Sequence, residues 1–195
     1  MELLPLIRLK RKILVESSYS LEDIIEKSDR YEKIYILDLD GIERDKPNLC
    51  TYQRLSASHD LWVDNGPRNL GDVVDAFMAG ATDITIRASL GPNLNISDIR
   101  EISENKVFAN IDFESERTNR SGDLFFYDSD GLVNFNSKEK LEAGFRYHDY
   151  LKQLRKTLYS YEVDSRNVSF WGMFGAKGLL VDIDKIEEFK KWIRK

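Results

Sequence analysis

The stretch from Leu61 to Arg87 reads as a complete βαβ unit with each boundary marked. The apolar run Leu61-Trp62-Val63 meets Asn65-Gly66-Pro67, a triplet that cannot continue a strand. Asn69 is a good N-cap for the segment that follows, where Leu70, Val73, Val74, Phe77 and Met78 recur at helical spacing. Gly80 stands where a helix ends on a left-handed residue, and Ile84-Thr85-Ile86 is the next strand. A strand, a short helix and a second strand in this order predict a parallel pair with a right-handed crossover, which fixes the class as α/β.

Immediately upstream, Tyr31 to Gly41 holds another strand, ending in Ile36-Leu37-Asp38-Leu39-Asp40-Gly41. Taken with Asn65-Gly66-Pro67-Arg68-Asn69-Leu70-Gly71-Asp72-Val73, it resembles the second and third strand regions of the HisA/HisF family. These are the phosphoribosyl-carboxamide ribotide isomerases and imidazole glycerol phosphate synthase cyclases of histidine biosynthesis, in which the two patterns read roughly VDLDGA and GGGIRNLEDV. The likeness covers residues 34 to 90 and extends more loosely to both sides. Leu4 to Val15 has the shape of the family's first strand and short return strand, with Arg8 where the family has its first catalytic aspartate. Lys106 to Phe113 looks like the fifth strand, with Asp112 on the second catalytic aspartate.

Further on, Asp123 to Phe135 reads as a β-hairpin around Ser129-Asp130-Gly131, Lys138 to Lys156 as a long helix and Thr157 to Asp164 as a sixth strand. Gly178 to Ile193 adds one strand and a closing helix. The expectation is a single domain, residues 1 to 195, folded as a TIM-type (β/α) barrel that is incomplete, with about seven strands and an inserted β-hairpin. A complete eightfold barrel takes about 250 residues and seldom fewer than about 200. One βα unit therefore counts as missing, and the tail is either the seventh unit or the eighth after an internal deletion. A gap exposes strand edges. The aromatic run Phe170-Trp171-Gly172-Met173-Phe174-Gly175 shows neither helical nor strand alternation. It has three readings: a plug for the gap, a docking point for a second copy in a homo-oligomer, or plain core packing.

A net charge of −5 argues against broad nucleic-acid binding, which needs clustered Lys and Arg. No leader-like start and no window of about 18 apolar residues is present, so a cytoplasmic protein without membrane attachment is expected. Cys50 is the only cysteine, and His59 and His148 are the only histidines, so neither a disulfide nor a Cys- or His-based metal centre is expected, nor a cofactor.

The resemblance implies an Amadori rearrangement, or a related cyclisation, on a ribosyl phosphate, with two aspartates as acid and base at the barrel mouth. Arg8 cannot take one of those roles, because a guanidinium stays protonated. It is open to three readings: a salt bridge to Asp112 or Asp38, a contact to an anionic substrate group, or an exposed surface position. Asp112 is either the remaining acid or base or a cap for the following loop. Asp38 and Asp40 share one strand face and can either hold a divalent cation or fix the loop; Asp38 is also a substrate-side candidate. Gly66, Arg68 and Asn69 keep part of the family's phosphate-binding turn, although Pro67 removes an amide donor. Arg87 and Ser89 stand after the next strand, where the family has Gly-Thr. Arg87 can bind a phosphate with its fork or serve as an ion-pair partner. Two function classes follow: a protein that binds a small phosphorylated metabolite, with isomerase or lyase activity through Asp112, or a non-catalytic binding or assembly protein on a degenerate barrel.

Overall fold

Strand β1 (Glu2–Lys10) alternates: Leu4, Leu6 and Arg8 take one face, Ile7 and Leu9 the other. A two-residue strand, β2 (Ile13–Leu14), returns antiparallel along it. The computed structural model, which describes residues 1–10, 13–14, 21–111, 126, 128–139 and 155–193, then places seven further strands parallel to β1. They are β3 (Lys33–Asp38), β4 (Asp60–Asp64), β5 (Ala81–Ile86), β6 (Lys106–Ile111), β7 (Gly131–Asn134), β8 (Thr157–Tyr161) and β9 (Gly178–Asp182). Strand β3 pairs with β1, each later strand pairs with its predecessor, and β9 pairs with β1, so the sheet closes.

The register gives the geometry of closure. Arg8 is level with Leu37, Asp64, Thr85, Phe108, Gly131 and, on β8, Thr157. Tyr159 is level with Gly178 and so with Glu2, six residues below Arg8; Thr157 lies two residues lower still. One circuit thus returns eight residues below its start, the stagger of an eight-stranded TIM-type barrel.

The barrel therefore has eight strands, not about seven, and no barrel strand is missing. The chain fits this fold into its length by economy: the barrel strands after β1 have four to six residues. Helices α2 (Leu39–Arg44), α3 (Leu49–Leu55), α4 (Leu70–Met78) and α5 (Ile96–Ile102) have six to nine, against an average near 11. The expected hairpin is also corrected. Gly131–Asn134 is hydrogen-bonded in parallel to β6 and β8, so it is a barrel strand, and Thr157–Tyr161 becomes the seventh and Gly178–Asp182 the eighth. Alternating burial does not distinguish a parallel from an antiparallel partner, and a Ser-Asp-Gly turn has the composition of a hairpin tip. Asp130 instead clips β6, donating its amide to the Val107 carbonyl at 2.8 Å and accepting the Val107 amide at 2.7 Å. Most of the helix expected over Lys138 to Lys156, and residues 112 to 125, lie outside the described residues.

Closure also removes the reason for expecting a second copy over an open edge. The aromatic tail is a helix, α6 (Val168–Phe174), ended by Gly175 at φ +88°. Trp171 is buried against Leu179, Val181, Ile186 and Phe189, joining α6 to β9 and to α7 (Ile186–Ile193), so at Trp171 the run serves core packing, while Met173 is exposed. On α4, Val73 and Ala76 face inward, Leu70 and Phe77 lie at the margin, and Val74 and Met78 face solvent. Helix α1 (Leu21–Ser28) packs through Ile24 and Ile25. No helix among the described residues is long and apolar enough to cross a membrane.

Inside the barrel, Leu4, Leu6, Tyr35, Leu37, Trp62, Phe108, Val133, Tyr159 and Leu180 form one cluster. Trp62 is its centre, 3.8 Å from the Phe108 ring and edge-on to Tyr35 and Tyr159, with its indole N–H donating to Thr85 Oγ1 at 2.8 Å. Rings this large need small neighbours: a Cβ on Gly178 would lie 2.8 Å from the Tyr159 ring. The interior is a packed core, which leaves the C-terminal mouth as the place for chemistry.

Candidate ligand site at the barrel mouth

Strand alternation decides which polar residues reach the mouth. On β1, β4, β5 and β9 the inward series ends in Arg8, Asp64, Arg87 and Asp182, and on β7 and β8 it ends in Phe135 and Tyr161. These six side chains form two linked groups. In the first, Arg87 grips Asp64 with both arms of its fork, Nε to Oδ1 at 3.0 Å and Nη2 to Oδ2 at 2.7 Å, while the Tyr35 hydroxyl donates to Oδ2 at 3.0 Å. Asp64 is wholly buried, whereas 17% of the Arg87 side chain is exposed.

In the second group, Arg8 Nη2 donates to the Tyr161 hydroxyl, which donates in turn to Asp182 Oδ2 at 2.8 Å. Arg8 Nη2 also stands 3.3 Å from Asp182 Oδ1, and the guanidinium lies 4.8 Å above the Tyr161 ring. The two groups meet through the aromatic rings. Phe135 stacks on Tyr161 at 5.6 Å, and the Arg87 guanidinium lies 5.6 Å from the Phe135 ring. Two guanidiniums thus flank an aromatic pair, a favourable geometry for delocalised cations.

The phenols here are donors, not bases. Burial, followed by the hydrogen bond to Asp182, pushes Tyr161 well above the ordinary tyrosine value, with Arg8 pulling the other way. Burial, followed by the charge of Asp64, does the same to Tyr35. Beside the mouth a cleft of about 290 Å³ is lined by Phe135 and Tyr161 together with Asn136, Lys138, Glu162 and Asn167. Glu162 is fully engaged in shaping its loop, accepting from the amides of Val163 and Asp164 and from Asn167 and Trp171.

Of the residues singled out in the sequence, Arg8 and Arg87 come to the mouth. Arg8 pairs with Asp182 and Tyr161, not with Asp38, and Arg87 pairs with Asp64. Asp112 lies outside the described residues. Asp38 points to the outer layer: it caps α2, accepting from the amides of Asp40 and Gly41, from the amide and side chain of Asn48, and from the Tyr52 hydroxyl. The loop-fixing alternative is the one its geometry supports.

Gly66, Arg68 and Asn69 form a self-contained turn. Gly66 adopts φ +65°, and a Cβ there would meet Leu90 and Ile42. Asn69 caps α4 and Asp72 completes a capping box, its Oδ2 accepting from the amides of Arg68 at 2.7 Å and Asn69 at 3.2 Å. Arg68 spends its guanidinium on the carbonyls of Gly41, Ile42 and Gly66 and on Asp45. An internal carboxylate therefore sits on the amides that a phosphate would use. Ser89 lies exposed on the turn after β5.

Asp64, Asp182, Phe135 and Tyr161 also line the mouth, and no motif marks them in the sequence. A signal for two of them is present nonetheless, because Leu180-Val181-Asp182 echoes Trp62-Val63-Asp64, and each copy places an inward aspartate at a strand end beside an arginine. No model of a known protein family and no curated protein sequence matches this chain.

Proposed function

We propose that the chain is a divergent HisA/HisF-type barrel that binds a small phosphorylated, ribosyl-phosphate-like metabolite at its mouth. One observation carries this reading: two guanidiniums, 19% and 17% exposed, are held in fixed orientations at the ends of β1 and β5 on either side of a stacked aromatic pair. Asp182 and Asp64 hold the forks, so little rotamer entropy is lost when an anion binds, and the water-poor setting strengthens each charge-assisted hydrogen bond. Arg8 and Arg87 face the anionic groups of the ligand. Activity of isomerase or lyase type, as in histidine biosynthesis, is the finer part of the proposal and rests on Asp112 as the proton-transfer group.

The second reading is a non-catalytic binding protein. It is favoured by Arg8 at the position of the family's first aspartate, and by the commitment of both described mouth carboxylates to arginine. The test is a thermal-shift series with inorganic phosphate, ribose 5-phosphate and an aminoimidazole ribotide, on the native chain and on Arg8→Ala and Asp112→Asn. Ligand at 100 times its Kd stabilises by about 2.7 kcal/mol, or roughly 5–11 °C for a domain of this size. Loss of the shift in Arg8→Ala, with turnover lost in Asp112→Asn while binding stays, supports the enzyme. Binding without turnover in the native chain supports the second reading. No shift with any compound, in variants that remain folded, sinks both.

A further inference from the structure

Resting on the reading of the mouth as an anion site, we infer that Asn110 sets ligand specificity there: its side-chain carbonyl accepts a hydrogen bond from a hydroxyl of a phosphorylated sugar held beside Arg87. Asn110 lies on β6 in phase with Phe108, which belongs to the barrel interior, while Val107, Ala109 and Ile111 pack outward. Its side chain therefore points into the barrel near the C-terminal end. It is 4% exposed, and its Oδ1 is buried with no hydrogen-bond partner among the described residues.

The neighbours explain why the partner is absent. The register sets Asn110 level with Val133 on β7 and, since Ile86 is level with Ala109, with Arg87 on β5. Val133 offers no donor, and the fork of Arg87 is turned towards Asp64 on the opposite flank. A leucine would fill this place without leaving an unmet acceptor, as Leu37 and Leu180 do on the same inner wall. Buried carbonyls in native proteins are nearly always satisfied, and an exception calls for a reason. A ligand hydroxyl supplies the donor at a polar position adjoining Arg87 on β6, so that phosphate and hydroxyl of one molecule are read side by side.

The experiment is isothermal titration of the native chain and Asn110→Leu with inorganic phosphate and with ribose 5-phosphate, alongside the melting temperature of each unliganded protein. The native chain is expected to hold ribose 5-phosphate about tenfold more tightly than phosphate. Asn110→Leu is expected to lose that tenfold preference, to keep its phosphate affinity, and to melt no lower than the native chain, since it removes an unmet acceptor. Should Asn110→Leu fail to fold, Asn110→Ala carries the same comparison. Ribose 5-phosphate held no more tightly than phosphate by the native chain overturns the role of Asn110 and leaves the anion site standing. The role of Asn110 falls equally if the variant retains the preference, or if it loses both ligands to the same degree. A native chain that binds neither probe overturns the anion site, and the inference with it.

Discussion

Replacing Arg87 by alanine tests whether the mouth is organised by its buried ion pair. Asp64 is fully buried and its carboxylate has three donors: Arg87 Nε, Arg87 Nη2 and the Tyr35 hydroxyl. The substitution removes two of them together with the countercharge. Breaking a buried pair from one side costs about 3–5 kcal/mol, mostly because the remaining charge is stranded. The residual Tyr35 bond and the partial exposure of Arg87 place this case at the lower end, about 3 kcal/mol. For a domain of this length that lowers the melting temperature by roughly 6–12 °C. Adding Asp64→Asn to Arg87→Ala replaces the stranded charge with an amide that can still pair with Tyr35, and the double variant is expected to regain about 2 kcal/mol. Urea unfolding, followed by circular dichroism and tryptophan fluorescence, measures all four corners of the cycle. A loss below about 1 kcal/mol in Arg87→Ala, or a double variant less stable than Arg87→Ala, would refute the account of Asp64 as a charge neutralised by Arg87.

Two further outcomes follow from the packing. Burial first, then neighbouring carboxylates, raises Tyr35 and Tyr52 well above the ordinary tyrosine value, so the folded state holds these protons more tightly than the unfolded chain. Their contribution to stability is present below about pH 10 and declines as pH rises further; in an absorbance titration at alkaline pH, two or more of the nine tyrosines should ionise only as the fold is lost. Gly178→Ala drives a methyl to within 2.8 Å of the Tyr159 ring, an overpacking expected to cost about 1–3 kcal/mol, and chemical denaturation should show a smaller loss when Tyr159→Leu is present.

The fold was largely legible because each βα boundary carries its own chemistry. Asn69 and Gly80 mark the ends of α4 as residue types that cap helices, and the structure uses them so, with Gly80 at φ +101°. What the sequence hid was the direction of pairing and the economy of length. Gly131–Asn134 is four residues long and lies behind a Ser-Asp-Gly turn, so local rules favour a hairpin, whereas pairing to β6 and β8 is decided by contacts distant in sequence. The aromatic tail misled for a similar reason. Val168 and Trp171 are buried three residues apart on a helix of seven, too short for periodicity to declare itself. At the site, Arg8 and Arg87 stood out as cations at strand ends, but their partners did not. Asp64 and Asp182 are strand-terminal aspartates like Asp38, and only the inward or outward phase of each strand separates a mouth residue from a helix cap.

That phase also bears on how the motif residues relate to chemistry. The turn from Gly66 to Asn69 carries the strongest part of the resemblance, yet its amides are occupied by Asp72 and its arginine is spent on three carbonyls and Asp45. A carboxylate on backbone amides at the start of a helix offsets the same partial positive charge that a phosphate would. The turn thus stabilises α4 internally and has little left to offer an anionic ligand. Arg8 alters the other half of the pattern, placing a permanent cation where proton transfer would need a titratable group. Positive charge is thus carried by side chains inside the mouth, where Asp64 and Asp182 hold the guanidiniums in place. On the proposed reading, such a barrel recognises an anion through its arginines, and the unmet carbonyl of Asn110, not the glycine turn, is the position that would decide ligand identity.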